Sequence, residues 1–354
     1  MMITASAVVS SITFKDESIT KFKAYINSTE YDCINYNLLT GPVEEGDTVI
    51  LNTTAVELKL GSGGFHYVIS NRSTDAFNNE NTGHIMKLRY TPIQISCLAA
   101  EAQESEYHDI FNSFDSLNGM PAIAGTLHSM LAPISICLKR VAGKSRIVYI
   151  MTDGGALPVW LSDTVKSLLR DNVIYRTITC GNAFGGDLEC INIYTALIAS
   201  KEICHADAAV VCMGPGITGT NTKFGFSGIE QGYIIDAVNK LGGKAVAVPR
   251  ISFSDKRSRH YGISHHSRLV LGSLCYSKAQ IAIPQFNDSR DDILQIQLLE
   301  SGIGQKHDVM YFDSREIEKV LLKEQPILST MRRTFEEDKE YFIACGLSAL
   351  LTRS

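Results

Sequence analysis

From residue 145 onward, apolar runs of strand length alternate with segments of helical length, and this alternation limits the fold more than any other feature of the chain. The runs are RIVYIM, VIYRTIT, DAAVVCM, KAVAVP and AQIAIP, with HDVMYF after them. They are nearly continuous in Val, Ile and Ala, as strands covered on both faces are; a half-exposed strand would alternate polar and apolar residues. Helices are expected through 158–170, 188–200 and 228–240, with a shorter one near 265–274. Such a series builds a mainly parallel, doubly wound, Rossmann-like sheet. Two C-terminal helices are expected to open on capping boxes, Asp313 with Glu316 and Thr334 with Glu337.

The first hundred residues follow another rule. AVVSSITF, ITKFKAYI, YDCINYNLL, TVILNTTAVEL and FHYVIS are short β-branched runs, separated by turn residues such as Gly41-Pro42 and Gly61-Ser62-Gly63-Gly64. Evenly spaced short strands predict a small all-β barrel or sandwich. Residues 101–120 are polar and read as loop. Ile123, Leu127, Met130, Leu131, Ile134 and Leu138 fall at helical spacing and predict a helix bridging two domains. The expected organisation is a β domain over 1–115, a connecting helix over 116–143 and an α/β domain over 144–354, as a length of 354 residues permits.

Composition removes several classes of function. A net charge of -5 does not suit a chain that coats nucleic acid or an anionic membrane. Nowhere does an apolar run reach the roughly 18–20 residues a membrane helix needs. The N-terminus, MMITASAVVSSITFKDE, lacks a basic segment ahead of its apolar stretch and reads as a first strand, not a secretion signal. Nine cysteines lie mostly inside apolar runs and form no C-x-x-C pair. Free thiols in a reducing cytoplasm are expected, and no thiolate metal site.

In an open parallel sheet, ligands bind beyond the carboxyl ends of the strands. Here those positions are rich in glycine and polar residues: Thr152-Asp153-Gly154-Gly155, then 181–187, then 214–222, then 250–268. The third loop carries G-x-G-x-x-G as Gly214, Gly216 and Gly219, with Thr220 next. Glycines so placed let backbone N–H groups approach a phosphate. The following helix starts near Ser227, past the last glycine, and Arg250, not an acid, closes the next strand. A dinucleotide cofactor therefore stands as one alternative, a plain anion cradle as another, and simple tight turns as a third. The sequence assigns no cofactor.

The fourth loop gathers Arg250, Lys256, Arg257, Arg259 and Arg268 against one acid, Asp255, with His260, His265 and His266 in the same window. Arginine forks suit phosphate or carboxylate. Ser264 is expected to cap the next helix, placing His265 and His266 in its first turn. His260, His265 and Asp255 could converge on a metal, but their cationic neighbours oppose a divalent ion, and no metal is expected. Asp153 remains open as a general base or a polar contact, while Asp187 is expected to cap the helix after it. Neither a G-x-S-x-G elbow nor a Walker lysine is present, since Lys223 and Lys244 miss the spacing.

At these loops the chain resembles a bacterial family, the domain of unknown function 3866 (DUF3866). The stretches that carry the resemblance are GDTVILNTTAVELKLGSGGFHYV, RIVYIMTDGGALP, GNAFGGDLECINIYTAL, MGPGITGTNTKFGFSGIEQG and SFSDKRSRHYGISHH. The resemblance implies a bacterial cytoplasmic protein and no particular reaction. Because the LGSGGFHYV loop resembles the family as strongly as the later loops do, it also implies a β domain leaning over the sheet edge, with His66 near the cleft.

Together these residues predict an enzyme acting on a small phosphorylated or carboxylated substrate. His265 or His266 would be the acid–base, Arg257 and Arg259 the anion clamps, and Asp153 a further contact. The rival is a non-catalytic sensor using the same pocket. Expected partners are a small anionic ligand and, in an assembly, further copies of the chain, with neither nucleic acid nor membrane.

Overall fold

In the N-terminal strands every second side chain turns inward, and the sheet closes on itself as a barrel. The computed structural model describes residues 2–61, 63–74 and 83–353, without the side chains of residues 325 and 326; Ser62 of the predicted glycine turn lies outside them. Two units are distinguished, Met1–Leu98 and Ala99–Ser354.

The first unit holds β1 (Thr4–Lys15), β2 (Ile19–Ile26), β3 (Thr29–Tyr36), β4 (Thr48–Asn52) and β5 (His66–Asn71). They close in the order β1-β2-β3-β5-β4. Closure depends on the length of β1: its first half pairs with β4 and its second half with β2, and irregularities after Val9 and Ile12 bend it between the two. Ala7, Val9, Phe22, Ala24, Cys33, Val49 and Leu51 fill the interior. A short hairpin, β6 (Ile85–Lys87) with β7 (Ile95–Cys97), completes this unit.

The second unit is an eight-stranded parallel sheet with helices. Its strands are β8 (Pro121–Ala124), β9 (Ile147–Thr152), β10 (Arg176–Cys180), β11 (Leu188–Cys190), β12 (Ala208–Met213), β13 (Lys244–Ala247), β16 (Gln280–Gln285) and β17 (Asp308–Asp313). Between β13 and β16 in the chain lies a small antiparallel pair, β14 (Ile251–Ser252) with β15 (Gly262–Ile263). The sheet order is β11-β10-β9-β12-β8-β13-β16-β17. Alternate residues of each strand enter different cores: Ile147, Tyr149 and Met151 one, Val148 and Ile150 the other. Both faces are thus covered, which is why the runs read as continuous in sequence.

Several expectations are corrected. Residues 121–140 are not one bridging helix: Pro121–Ala124 is a strand between β12 and β13, and the helix Leu131–Arg140 packs in the core of the second unit. A four-residue buried strand followed by a helix merged into one apparent helical period. The polar segment 101–120 contains the helix His108–Ser113. Residues 188–190 form β11, and the helix after it, Ile193–Ile198, is capped by Asn192 in a capping box with Thr195. Asp187 caps nothing: its carboxylate accepts from the Thr177 backbone N–H and hydroxyl. Asp313 accepts from the N–H and side chain of Arg315, not in a box with Glu316. Thr334 does donate to Glu337, but that turn precedes the helix Lys339–Leu347, whose cap position is Asp338.

Candidate functional site

Chain direction sets where the crevice opens. The chain leaves β8 for β9 on one side and leaves β13 for β16 on the other. Neighbouring strands whose connections diverge leave an opening above their carboxyl ends. Gln231, fully buried in the helix Glu230–Lys240, spans this point by donating to Ala124 O at 2.8 Å and Val248 O at 2.9 Å.

The segment 250–268 then folds back as a hairpin. β14 pairs with β15, the Arg250 N–H donates to Ser267 Oγ at 2.9 Å, and the Ser264 N–H donates to Arg250 O at 2.8 Å. This brings Arg250 beside the short helix His265–Leu269. Ser264 occupies the cap position but makes no side-chain cap, because its hydroxyl is engaged with His260 Nδ1 at 2.8 Å.

The resulting pocket encloses about 200 Å³. One wall is basic and imidazole-rich: Arg250, Arg257, Arg259, His260, His265 and His266. Leu127, Ile217, Phe226 and Met331 also line the pocket, with Gly219 and Thr126. Phe226 stacks on His266 with ring centres 4.0 Å apart and planes 8° apart. The three imidazoles lie within 4.1–5.4 Å of one another, centre to centre.

Charge in the wall is organised by one carboxylate. Asp255 accepts from Arg250 Nη2 at 2.8 Å and from Arg257 Nε and Nη2 at 3.0 and 2.8 Å. Hydrogen bonds from Arg257 foremost, then those of Arg250, hold its carboxyl far below the usual range. Arg259 donates to Asn221 Oδ1 and, at 3.4 Å, to His260 Nε2. A guanidinium only donates, so Nε2 is the acceptor and Nδ1 carries the His260 proton. Burial first, and the guanidinium charges second, push His260 down to about 3 and lower His265; burial, then His265, then the guanidinium charges push His266 down to about 4. The imidazoles are therefore neutral at physiological pH. Arg250 is 5% exposed, yet its Nε and Nη1 groups have no hydrogen-bond partner in the chain; neither has His265 Nε2. Buried donors without partners call for a water, an ion or a ligand.

Of the residues singled out in sequence, the pocket wall brings together Gly219, Arg257, Arg259, His260, His265 and His266. Gly214, Gly216, Thr220 and Asp153 are not among its lining residues. Gly214 packs on Met151. Gly216 has φ +109°, and a Cβ there would meet open space, so its glycine answers to backbone conformation. Thr220 pairs with Thr222 and Gly225 in the loop. Asp153 accepts from Asn182 at 3.2 Å near the ends of β9 and β10. His66 is buried in the barrel, its ring 4.8 Å from that of Tyr31. Two groups lay outside the sequence-derived site. Arg250 was visible only as part of a basic cluster. Glu230 accepts from Thr152 Oγ1 at 2.7 Å, and burial pushes it up to about 7; in sequence it is one more acid at a helix start.

Fold and pocket define a class: a doubly wound α/β protein with a small β-barrel and a basic, histidine-lined crevice at its strand ends. The family described as "Protein of unknown function (DUF3866)" matches residues 32–349. The chain belongs to that family. No curated protein matches it. Among the described residues no helix is long and apolar enough to cross a membrane.

Proposed function

We propose that this chain is an enzyme acting on a small anionic molecule, phosphorylated or carboxylated, bound between the loops 217–228 and 250–267. The observation that carries the reading is Arg250: a buried guanidinium with two N–H groups left unpaired in a pocket wall. An anion would satisfy both, at charge-assisted strength. His265, neutral and with an unpartnered Nε2, is placed to take a proton from the bound substrate. A volume of about 200 Å³ suits a small metabolite and argues against a dinucleotide at the glycine loop. The nine cysteines, all buried, support residence in a reducing cytoplasm.

The test is a turnover screen of small phosphate esters and carboxylates, read by product formation, with anion-induced thermal shifts in parallel. An enzyme consumes a compound that also raises the melting temperature, and His265→Asn lowers turnover by about 10²–10⁴-fold. A compound that stabilises the protein but is returned unchanged favours the sensor reading. If no compound shifts the melt, the pocket is not an anion site.

A further inference from the structure

We infer that the head group bound here is a dianion, a phosphate monoester and not a carboxylate. The inference rests on the proposed anion site and concerns its charge. Three guanidinium groups line the wall, those of Arg250, Arg257 and Arg259, and the one carboxylate paired with them is Asp255. Of the neighbouring charges, Arg333 is paired with Asp338 at 2.9 Å, Arg268 lies 3.8 Å from Glu300, and Lys256 is exposed to solvent. Arg259 meets only the neutral Asn221 and His260. Two positive charges therefore remain uncompensated at the wall. A monoanion would match only one of them, whereas a phosphate monoester matches both.

Donor geometry agrees with charge. Arg250 Nε and Nη1 are unpartnered donors at the strand end, and the guanidinium groups of Arg257 and Arg259 line the same wall from the hairpin that follows. A carboxylate has two oxygens in one plane, while a phosphate presents three terminal oxygens in a tetrahedral spread, the better match to donors on separate elements. The imidazoles add hydrogen-bonding capacity without adding charge, because burial and the arginines keep them neutral. Leu127, Ile217, Phe226 and Met331 add an uncharged surface to the lining. The rest of the ligand is therefore short and uncharged: a small body carrying one phosphate.

Isothermal titration of the full chain at constant ionic strength tests the assignment, with methyl phosphate, sulfate, acetate and formate as probes. At pH 7.5, methyl phosphate and sulfate should bind at least tenfold more tightly than acetate or formate. Lowering the pH to 5 protonates methyl phosphate, whose second pKa is near 6, but leaves sulfate a dianion. The affinity of methyl phosphate relative to sulfate should then fall about tenfold. Histidine protonation acts on both probes alike and leaves the ratio untouched. Arg259→Gln, on an exposed part of the loop and so safe for folding, should weaken sulfate at least tenfold and acetate much less. If acetate binds as well as sulfate, or the ratio is flat with pH, the dianion assignment is wrong while the anion site stands. If none of the four probes binds, the anion site itself is refuted.

Discussion

Arg250 donates to Asp255 across 2.8 Å with both side chains almost withdrawn from solvent, at 6% and 4% exposure. Arg257 closes on the same carboxylate from the half-exposed side. One acid thus fixes two guanidinium groups five and two residues away in sequence, inside a hairpin that already places them locally. Asp255→Asn would leave the Arg250 charge buried without its counterion, and a stability loss of about 3–5 kcal/mol in urea melts at pH 7 is expected. The sign with pH follows from the depressed carboxyl. Its contribution is complete above the unfolded value near 3.9 and is lost as pH falls below about 4. The gap between wild type and variant should narrow in that acid range. A gap that widens there contradicts the ion-pair account.

The imidazole cluster predicts a second pH window. His266 is held down to about 4 and His260 to about 3, whereas unfolded histidine titrates near 6.5. Between those values the unfolded chain binds more protons, so stability rises with pH from about 4 to 6.5. Saturating sulfate places negative charge beside the rings and should raise the His266 pKa, measured from its ring-proton shifts by NMR. An unchanged His266 titration in sulfate would place the anion elsewhere.

Glu230 predicts the opposite slope. Burial lifts its carboxyl to about 7, against a hydrogen bond from Thr152 that pulls it down. The folded chain keeps this proton where the unfolded chain has lost it, so stability falls as pH rises from about 4.5 through 7. Glu230→Gln keeps the acceptor for Thr152 and removes the titration. The variant should gain on the wild type between pH 5.5 and 8.5 in paired thermal melts, and parallel curves across that range would show that Glu230 is ionised throughout.

Gln231 ties the strand ends beneath the pocket. Gln231→Leu keeps the approximate volume but strands the carbonyl of Val248, while that of Ala124 keeps the Val248 N–H at 3.0 Å. A loss on the order of 1–3 kcal/mol is expected from one unsatisfied buried acceptor. Chemical denaturation gives the value directly, and a loss below about 1 kcal/mol would mean that water replaces the amide.

What could be read from sequence, and what could not, divides by range. The runs of β9, β12 and β16 announce themselves because burial on both faces leaves them unbroken by polar residues. The basic cluster was legible because Arg250, Asp255, Arg257 and the histidines sit in one hairpin, close in sequence as in space. β8 was hidden: Pro121–Ala124 is too short to show a period and runs into a helix whose spacing absorbs it. Leu188–Cys190 was hidden similarly, as three residues on a sheet edge. The Thr152–Glu230 contact joins residues 78 positions apart, and nothing local to either signals the other. Asp153 shows the converse: position after a strand marks a residue as near the sheet edge, and side-chain direction decides whether it faces the pocket.

The place of β8 has a consequence for synthesis at the ribosome. It is the first strand of its sheet to be made, yet Ala122 pairs with Ala209 on one side and Ala245 on the other. A nascent chain that has emerged only as far as β11 therefore carries a central strand with both edges unpaired, and its apolar residues have no sheet to join. Pairing of β8 waits on β12 and β13, and the hairpin that builds the pocket is translated directly after them. During elongation the unit passes through a vulnerable interval in which chaperone capture is most needed, and it ends only when the last-made neighbour of β8 has docked.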